Sequence, residues 1–324
     1  MREPDVIFER VPTSPPRPRQ RWALHLGLLA ATFVTATWAQ SLDLVHSATW
    51  AEALAGPWHH PVRLVRGLTF AVTLLGIWIA HEMGHYLVAR RYGVDQTLPY
   101  FIPFPSLFGT LGAVILMRSQ PPNRRVLLRV AVAGPLAGFV LAVPAAAWGL
   151  AHSHLVLGAS PNALGFGESI LSWLLTRSFA PAGASFDAHP VALAAWAGLF
   201  VTSVNLIPAA QLDGGHIAYA LFGRRHLRLA RLVVVALVVI AVYLGPAERG
   251  FVWLVWAGLL SLIGLRHPPV QDEAVPLARG DRALGYLALA LFVLTFIPAP
   301  LSRPAPDETS IPVKIEQRGE EFRL

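Results

Sequence analysis

The stretch LTFAVTLLGIWIAHEMGHYLVA, residues Leu68–Ala89, is long and apolar enough to cross a bilayer as one helix, yet it carries three ionisable side chains within five positions. A hydrocarbon core of about 30 Å takes about 20 helical residues. His81 and His85 stand four apart, so on a helix both imidazoles leave one face, one turn from each other. Glu82 is turned about 100° from His81, close enough to reach a metal-bound water without itself being a ligand, the position a general base needs. Each ionisable group at mid-membrane costs roughly 2.5–3.5 kcal/mol. A divalent cation held by neutral imidazoles supplies the compensation that would keep three of them in one span.

The rest of the composition agrees with a membrane setting. Apolar residues make up 54% of the 324 positions and charged residues only 14%, beyond what soluble chains carry. There is no cysteine, so disulfides, thiolate metal sites and a cysteine nucleophile are all excluded, and any metal must be held by His, Asp or Glu. The net charge of +7 comes almost wholly from arginine, with Lys314 the single lysine. These arginines cluster between apolar runs, with no aromatic-basic interleaving on a polar face. That pattern suits membrane orientation rather than nucleic-acid binding.

Outward from Leu68–Ala89, further apolar runs are Trp22–Gln40, Val130–Leu150, Val191 through Pro208 and on toward Phe222, Leu227–Leu244, Phe251–Leu265 and the weaker Leu284–Pro298. The expected fold is therefore an all-α polytopic membrane protein of about seven transmembrane helices. Trp22–Gln40 begins late and lacks a small-x-small site, so it reads as an uncleaved anchor. Residues 1–21, arginine- and proline-rich, read as a disordered tail. Residues 22–67 read as the anchor and an external loop, 68–222 as the core, 223–301 as accessory spans and 302–324 as a charged tail. The segment between Arg90 and Arg129 holds six arginines against Asp95 alone. With Arg224, Arg225, Arg228 and Arg231 it is expected on the cytoplasmic side, together with the N-terminus.

Two histidines leave a catalytic zinc site one protein ligand short. Among the downstream acids, Asp95, Glu168, Asp187 and Glu248 fall in loops. Asp213, in NLIPAAQLDGGH (Asn205–His216), closes an apolar run. Counted at about 1.5 Å per residue, its depth below Arg224 matches that of His81 below Arg90. Pro208, Gly214 and Gly215 are expected to break the helix around Asp213 and open a water-accessible place in the membrane.

Taken together, AHEMGHYLVAR, the Pro-rich LPYFIPFPSLFGTLGAVILMRS, AVAGPLAGF and NLIPAAQLDGGH resemble, in order and spacing, the core of the site-2 protease family of intramembrane zinc metalloproteases. The resemblance covers roughly residues 68–222. It implies one Zn2+ held by His81, His85 and Asp213, with Glu82 activating a water to attack a peptide bond of a single-span membrane-protein substrate. One carboxylate and one hydroxide on a divalent ion are formally neutral, which suits a low-dielectric site. Asn205 matches the family's asparagine, implying a hold on substrate backbone or oxyanion, although a helix–helix hydrogen bond would use it equally well. Gly109 and Gly112 lie where the family has a membrane-associated β-hairpin, here between the second and third spans, that pairs with extended substrate; close packing is the competing reason for both glycines. His216 is expected beside the ligands rather than among them. No segment between Ala151 and Pro190 is long enough for the PDZ domain of many relatives, so the PDZ-less branch is implied. The resemblance places the protein in the bilayer of a prokaryotic cytoplasmic membrane, multi-pass, with the active site toward the cytoplasm.

Two other readings use the same residues. A prenyl-protein metalloprotease also has HExxH in a span but takes a later Glu as third ligand, and none is suitably placed. A metal transporter would use inward His and Asp side chains but has no need of an acid beside them.

Overall fold

A computed structural model describes residues 20–42, 49–156, 165–180 and 185–302. The tails expected at 1–21 and 302–324 lie almost wholly outside these residues.

Ten α-helices account for most of the described chain: α1 Trp22–Ser41, α2 Trp50–His59, α3 Val62–Arg91, α4 Arg124–Ala151, α5 Ile170–Phe179, α6 Pro190–Asn205, α7 Asp213–Phe222, α8 His226–Tyr243, α9 Phe251–Ile263 and α10 Arg279–Thr295. Among the described residues, four stretches are long and apolar enough to cross a membrane: α1, α3, α4 and Asp213–Tyr243, which comprises α7, a turn and α8. α6 and α9 are apolar but shorter.

α3 is the central element. Phe70, Leu74, Ile77, Trp78, His81, Glu82, His85 and Ala89 are buried, the three-and-four spacing of a single helix face. That face packs chiefly against α4, then α1 and α6. The helix stops where Gly93 takes φ +72°. The Val94 N–H donates to the Ala89 carbonyl and the Gly93 N–H to the Arg90 carbonyl, the double closure of a Schellman motif. α4 starts where Asn123 accepts from the Val126 N–H at 3.0 Å and runs on through Pro135 and Pro144, which neighbouring helices make tolerable.

Between α3 and α4 an antiparallel hairpin pairs β1 (Tyr100–Pro103) with β2 (Thr110–Val114), with Phe101 opposite Ala113 and a register shift at Ile102/Pro103. Its pairing continues through Gln96 and Met117. α1 cradles β1: His25 Nδ1 lies 3.1 Å from the Pro99 carbonyl, and Gln40 Nε2 donates to the Leu107 carbonyl at 2.7 Å. Two small pairs, β3 (His154–Val156) with β5 (Ser185–Asp187) and β4 (Gly165–Phe166) with β6 (Leu301–Ser302), lie elsewhere in the chain.

The helix breaks next to Asp213 and at Pro208, as expected, but Gly214 and Gly215 have no part in the break. α6 ends at Asn205, residues 206–212 form an irregular turn containing Pro208 and a left-handed Ala210 (φ +53°), and Asp213 opens α7. Gly214 and Gly215 therefore lie inside the helix rather than breaking it. A Cβ on Gly214 would strike the Leu206 carbonyl, and one on Gly215 the carbonyls of Ala209 and Ala210, so these glycines let the first turn of α7 close onto the irregular segment. At the far end of α7, Gly223 takes φ +57° and opens the short turn Gly223–Arg225 that leads into α8. Ala230, Leu237 and Ala241 of α8 join Ile207, Ala209 and Ala210 of the break in one apolar cluster.

Candidate metal centre

His81 Nε2 and His85 Nε2 each lie 3.2 Å from Asp213 Oδ2. One donor atom from each residue falls within 4.8 Å of the others. Two elements 132 positions apart thus converge: α3 supplies the imidazoles, and the first residue of α7 supplies the carboxylate.

The imidazoles are positioned from behind by α4. His85 Nδ1 lies 2.8 Å from the Val130 carbonyl, which fixes Nδ1 as the protonated nitrogen and leaves the Nε2 lone pair for a metal. Gly134 and Gly138 make the room. A Cβ on Gly134 would fall on the His85 ring, and one on Gly138 would sit 3.2 Å from His81 Cβ and Nδ1. Gly84 lets the two helix backbones meet, since its Cβ would strike the Ala133 carbonyl. The glycines of AVAGPLAGF are therefore the negative of the HEMGH histidines: two four-residue spacings set against each other on antiparallel helices.

Glu82 is only 6% exposed and has no hydrogen-bond partner among the described residues. It lines the same cavity of about 450 Å³ as the three convergent residues. The far wall is the continuation of β2, from Ala113 to Pro121, and Asn205 and His216 complete it. Asn205, the last residue of α6, has no side-chain hydrogen bond to any described residue, so the helix–helix bond that sequence left open is not made. His216 sits one turn past Asp213 and pairs through Nδ1 with His267 Nε2 at 2.5 Å. Gly109 is elsewhere. It turns the hairpin at φ +72°, where a Cβ would strike the α1 backbone at Thr35 and Ala36, and the residues lining the cavity begin four positions later, at Ala113.

His267 is the site residue that sequence reading missed. It belongs to a strap, residues 264–278, that joins α9 to α10 and lines the cavity with His267, Pro268 and Pro269. His267 stacks on Tyr219 at 4.3 Å. Burial, and then the neighbouring His216 imidazole, hold its pKa down to about 3. The strap is tied to the end of the hairpin by Gln271 N–H to the Pro121 carbonyl at 3.1 Å and Asp272 N–H to the Pro122 carbonyl at 2.9 Å. Those ties are main-chain bonds and leave no trace in side-chain chemistry.

The donor set suits a metal of the zinc kind. Two imidazole nitrogens and one carboxylate oxygen, with an open side facing a cavity, is the composition of a three-ligand catalytic centre. The class is thereby defined: a multi-pass helical membrane protein with a buried His-His-Asp group able to hold a metal ion and, among the described residues, an unpartnered glutamate beside it. The family model for peptidase family M50 matches residues 69–245, and the chain belongs to that family. It is 34% identical over 242 residues to "Probable zinc metalloprotease EGY1, chloroplastic" of Arabidopsis thaliana, covering 71% of this chain and 43% of the relative. It is 32% identical over 243 residues to "Probable zinc metalloprotease EGY2, chloroplastic" of the same plant, covering 73% of this chain and 42% of the relative. The chain thus spans less than half the length of these curated relatives. Their names place them in chloroplasts, so the expected prokaryotic cytoplasmic membrane finds no support in them.

Proposed function

We propose that the chain is an intramembrane zinc metalloprotease that hydrolyses a peptide bond within or near the transmembrane segment of a single-span membrane protein. The observation that carries this reading is the convergence of His81, His85 and Asp213 with the free carboxylate of Glu82 on one cavity, walled by an extended strand. His81, His85 and Asp213 would hold one zinc ion. Zinc supplies Lewis-acid polarisation and lowers the pKa of water it binds.

Glu82 takes the proton from the attacking water and returns it to the leaving amine nitrogen, the work of a general acid–base placed beside the reacting bond. The Asn205 amide, without a protein partner, donates to the substrate backbone or to the oxygen that gains charge. The backbone from Ala113 to Ser119 pairs with an unwound stretch of substrate, which presents the scissile bond in extended form. His216 and His267 wall the site and bind no metal. The hairpin lies against the bilayer, and the seven crossings are α1, α3, α4, α6, α8, α9 and α10, with α7 re-entering from the break. The arginine-rich ends of α3 and α4 face the cytoplasmic or equivalent compartment by the positive-inside bias. A transporter explains the ligands but leaves Glu82 without a purpose.

The test is cleavage of a single-span reporter by the purified chain in proteoliposomes, stopped by a chelator and restored by one equivalent of zinc. A reporter that stays intact with zinc bound stoichiometrically overturns the proposal.

A further inference from the structure

A second cavity, about 220 Å³, lies between the N-terminal turns of α4 and α10 and the C-terminal end of α7, lined by Arg124, Leu221, Pro276, Leu277, Arg282 and Tyr286. Its charge is unbalanced. The acid closest in sequence to Arg282, Asp281, is already engaged: Arg125 Nε lies at 3.0 Å, Arg129 Nη2 at 2.8 Å, and the Ala278 N–H donates to Oδ2 at 3.1 Å. The Glu273 carboxylate accepts from the Tyr219 hydroxyl at 2.8 Å, and only its backbone carbonyl receives Arg124 Nη2, at 3.3 Å. Among the described residues, neither Arg124 nor Arg282 has a carboxylate partner, and Arg124 Nε is buried with no hydrogen bond at all. The Arg124 guanidinium also lies against Gly223, which leads into Arg224 and Arg225, so the surroundings add positive charge.

The cavity stands at the arginine-rich end of the helices, where membrane-length α4 begins. Its outer flank is amphipathic. Tyr286 follows Arg282 by one turn of α10 and is 54% exposed; Leu287 and Val293, 49% and 59% exposed, continue away from it along the helix. A tyrosine between a cationic rim and exposed leucine and valine is the arrangement of a residue at the lipid interface. Guanidinium groups bind phosphate oxygens in bidentate fashion, and basic pockets between membrane helices take anionic headgroups.

We propose that this cavity binds the phosphate of an anionic phospholipid, Arg124 and Arg282 holding the phosphodiester while the acyl chains run down α10 past Tyr286 and Leu287. Free phosphate shares the headgroup's chemistry but cannot use the apolar flank.

The test uses the full chain in nanodiscs of phosphatidylcholine with admixed phosphatidylglycerol, followed by gentle delipidation and native mass spectrometry to count retained phosphatidylglycerol. Wild type is expected to retain it selectively over phosphatidylcholine. Arg282→Gln, at an exposed position without a protein partner, should lower retention about tenfold through loss of a charge-assisted contact, and Arg124→Gln should do the same. Arg282→Lys is expected to fall between. Arg228→Gln, on α8 and not among the residues lining the cavity, removes the same charge and should change nothing. Equal losses for Arg228→Gln and Arg282→Gln, no preference in wild type, or displacement of the lipid by millimolar inorganic phosphate would each overturn the assignment.

Discussion

Replacing Gly134 with alanine puts a methyl group where the His85 imidazole now lies, since a Cβ there would collide with Nε2, Cδ2 and Cε1 together. Non-bonded carbons rest about 3.5–4.0 Å apart, so the ring or the helix must retreat by more than about 1 Å. A metal ligand tolerates about 0.2 Å, and His85 therefore leaves the set. Gly138→Ala is milder: its Cβ would lie 3.2 Å from His81 Cβ and Nδ1, tight by a few tenths of an ångström. Gly76, on α3 with nothing within 4 Å of its ideal Cβ, serves as the control. The expected order of zinc dissociation constants follows. Gly76→Ala should match wild type, Gly138→Ala should weaken binding up to about tenfold, and Gly134→Ala about 100-fold or more, roughly 2.8 kcal/mol. Competition against a chromophoric chelator measures it, with an unfolding midpoint recorded to show that each variant folds. A folded Gly134→Ala protein that holds zinc as wild type does would refute the cradle.

Asp213→Ala should lose both zinc and cleavage, because it removes the only non-histidine donor of the convergent group; metal analysis of the purified variant decides it. Asp281→Asn strands two arginines whose side chains are 37% exposed, and should cost about 2–3 kcal/mol, somewhat below the value for a wholly buried pair, read as a lower unfolding midpoint in detergent. Ala210→Gly relieves a left-handed alanine and should be neutral or stabilising by up to about 1 kcal/mol, by the same assay. His267, held down at about 3, is neutral where it packs on Tyr219 and His216 and would protonate wherever that packing is lost. The packing of the strap is therefore fully favoured above about pH 6.5 and loses stability as pH falls below that value, by up to about 1 kcal/mol near pH 5.5 after allowing for solvent screening. Hydrogen exchange of residues 264–278 should rise accordingly, and His267→Asn should flatten the dependence.

The chemistry was more legible in the sequence than its supports. His81, Glu82 and His85 could be read because a four-residue spacing on one apolar helix fixes geometry without tertiary information. Asp213 required both a scarcity of buried acids and a resemblance, since nothing local says that residues 132 apart will meet. The break was expected at Pro208, Gly214 and Gly215, and only the proline lies in it; the two glycines, which end helices in isolation, serve in the fold a close approach to the carbonyls of Leu206, Ala209 and Ala210. Gly109 could be read either as a substrate-facing or as a close-packed glycine, because both carry the same letter; the structure adds the contact with α1. The strap went unread because its ties join distant segments, some through backbone bonds to Pro121 and Pro122, which any residue can make, and others through long-range contacts such as Tyr219 to Glu273. Gly134 and Gly138 were within reach: their spacing repeats that of the histidines they face.

The most direct measurement is reporter cleavage by Glu82→Gln protein loaded with one zinc per chain. Zinc should stay bound, because Glu82 is outside the ligand set, and cleavage should fall to background, because no other buried carboxylate in the cavity is free to move the proton. Cleavage near the wild-type rate in that zinc-loaded variant would contradict the assignment of Glu82 and, with it, the reading of the site as a protease.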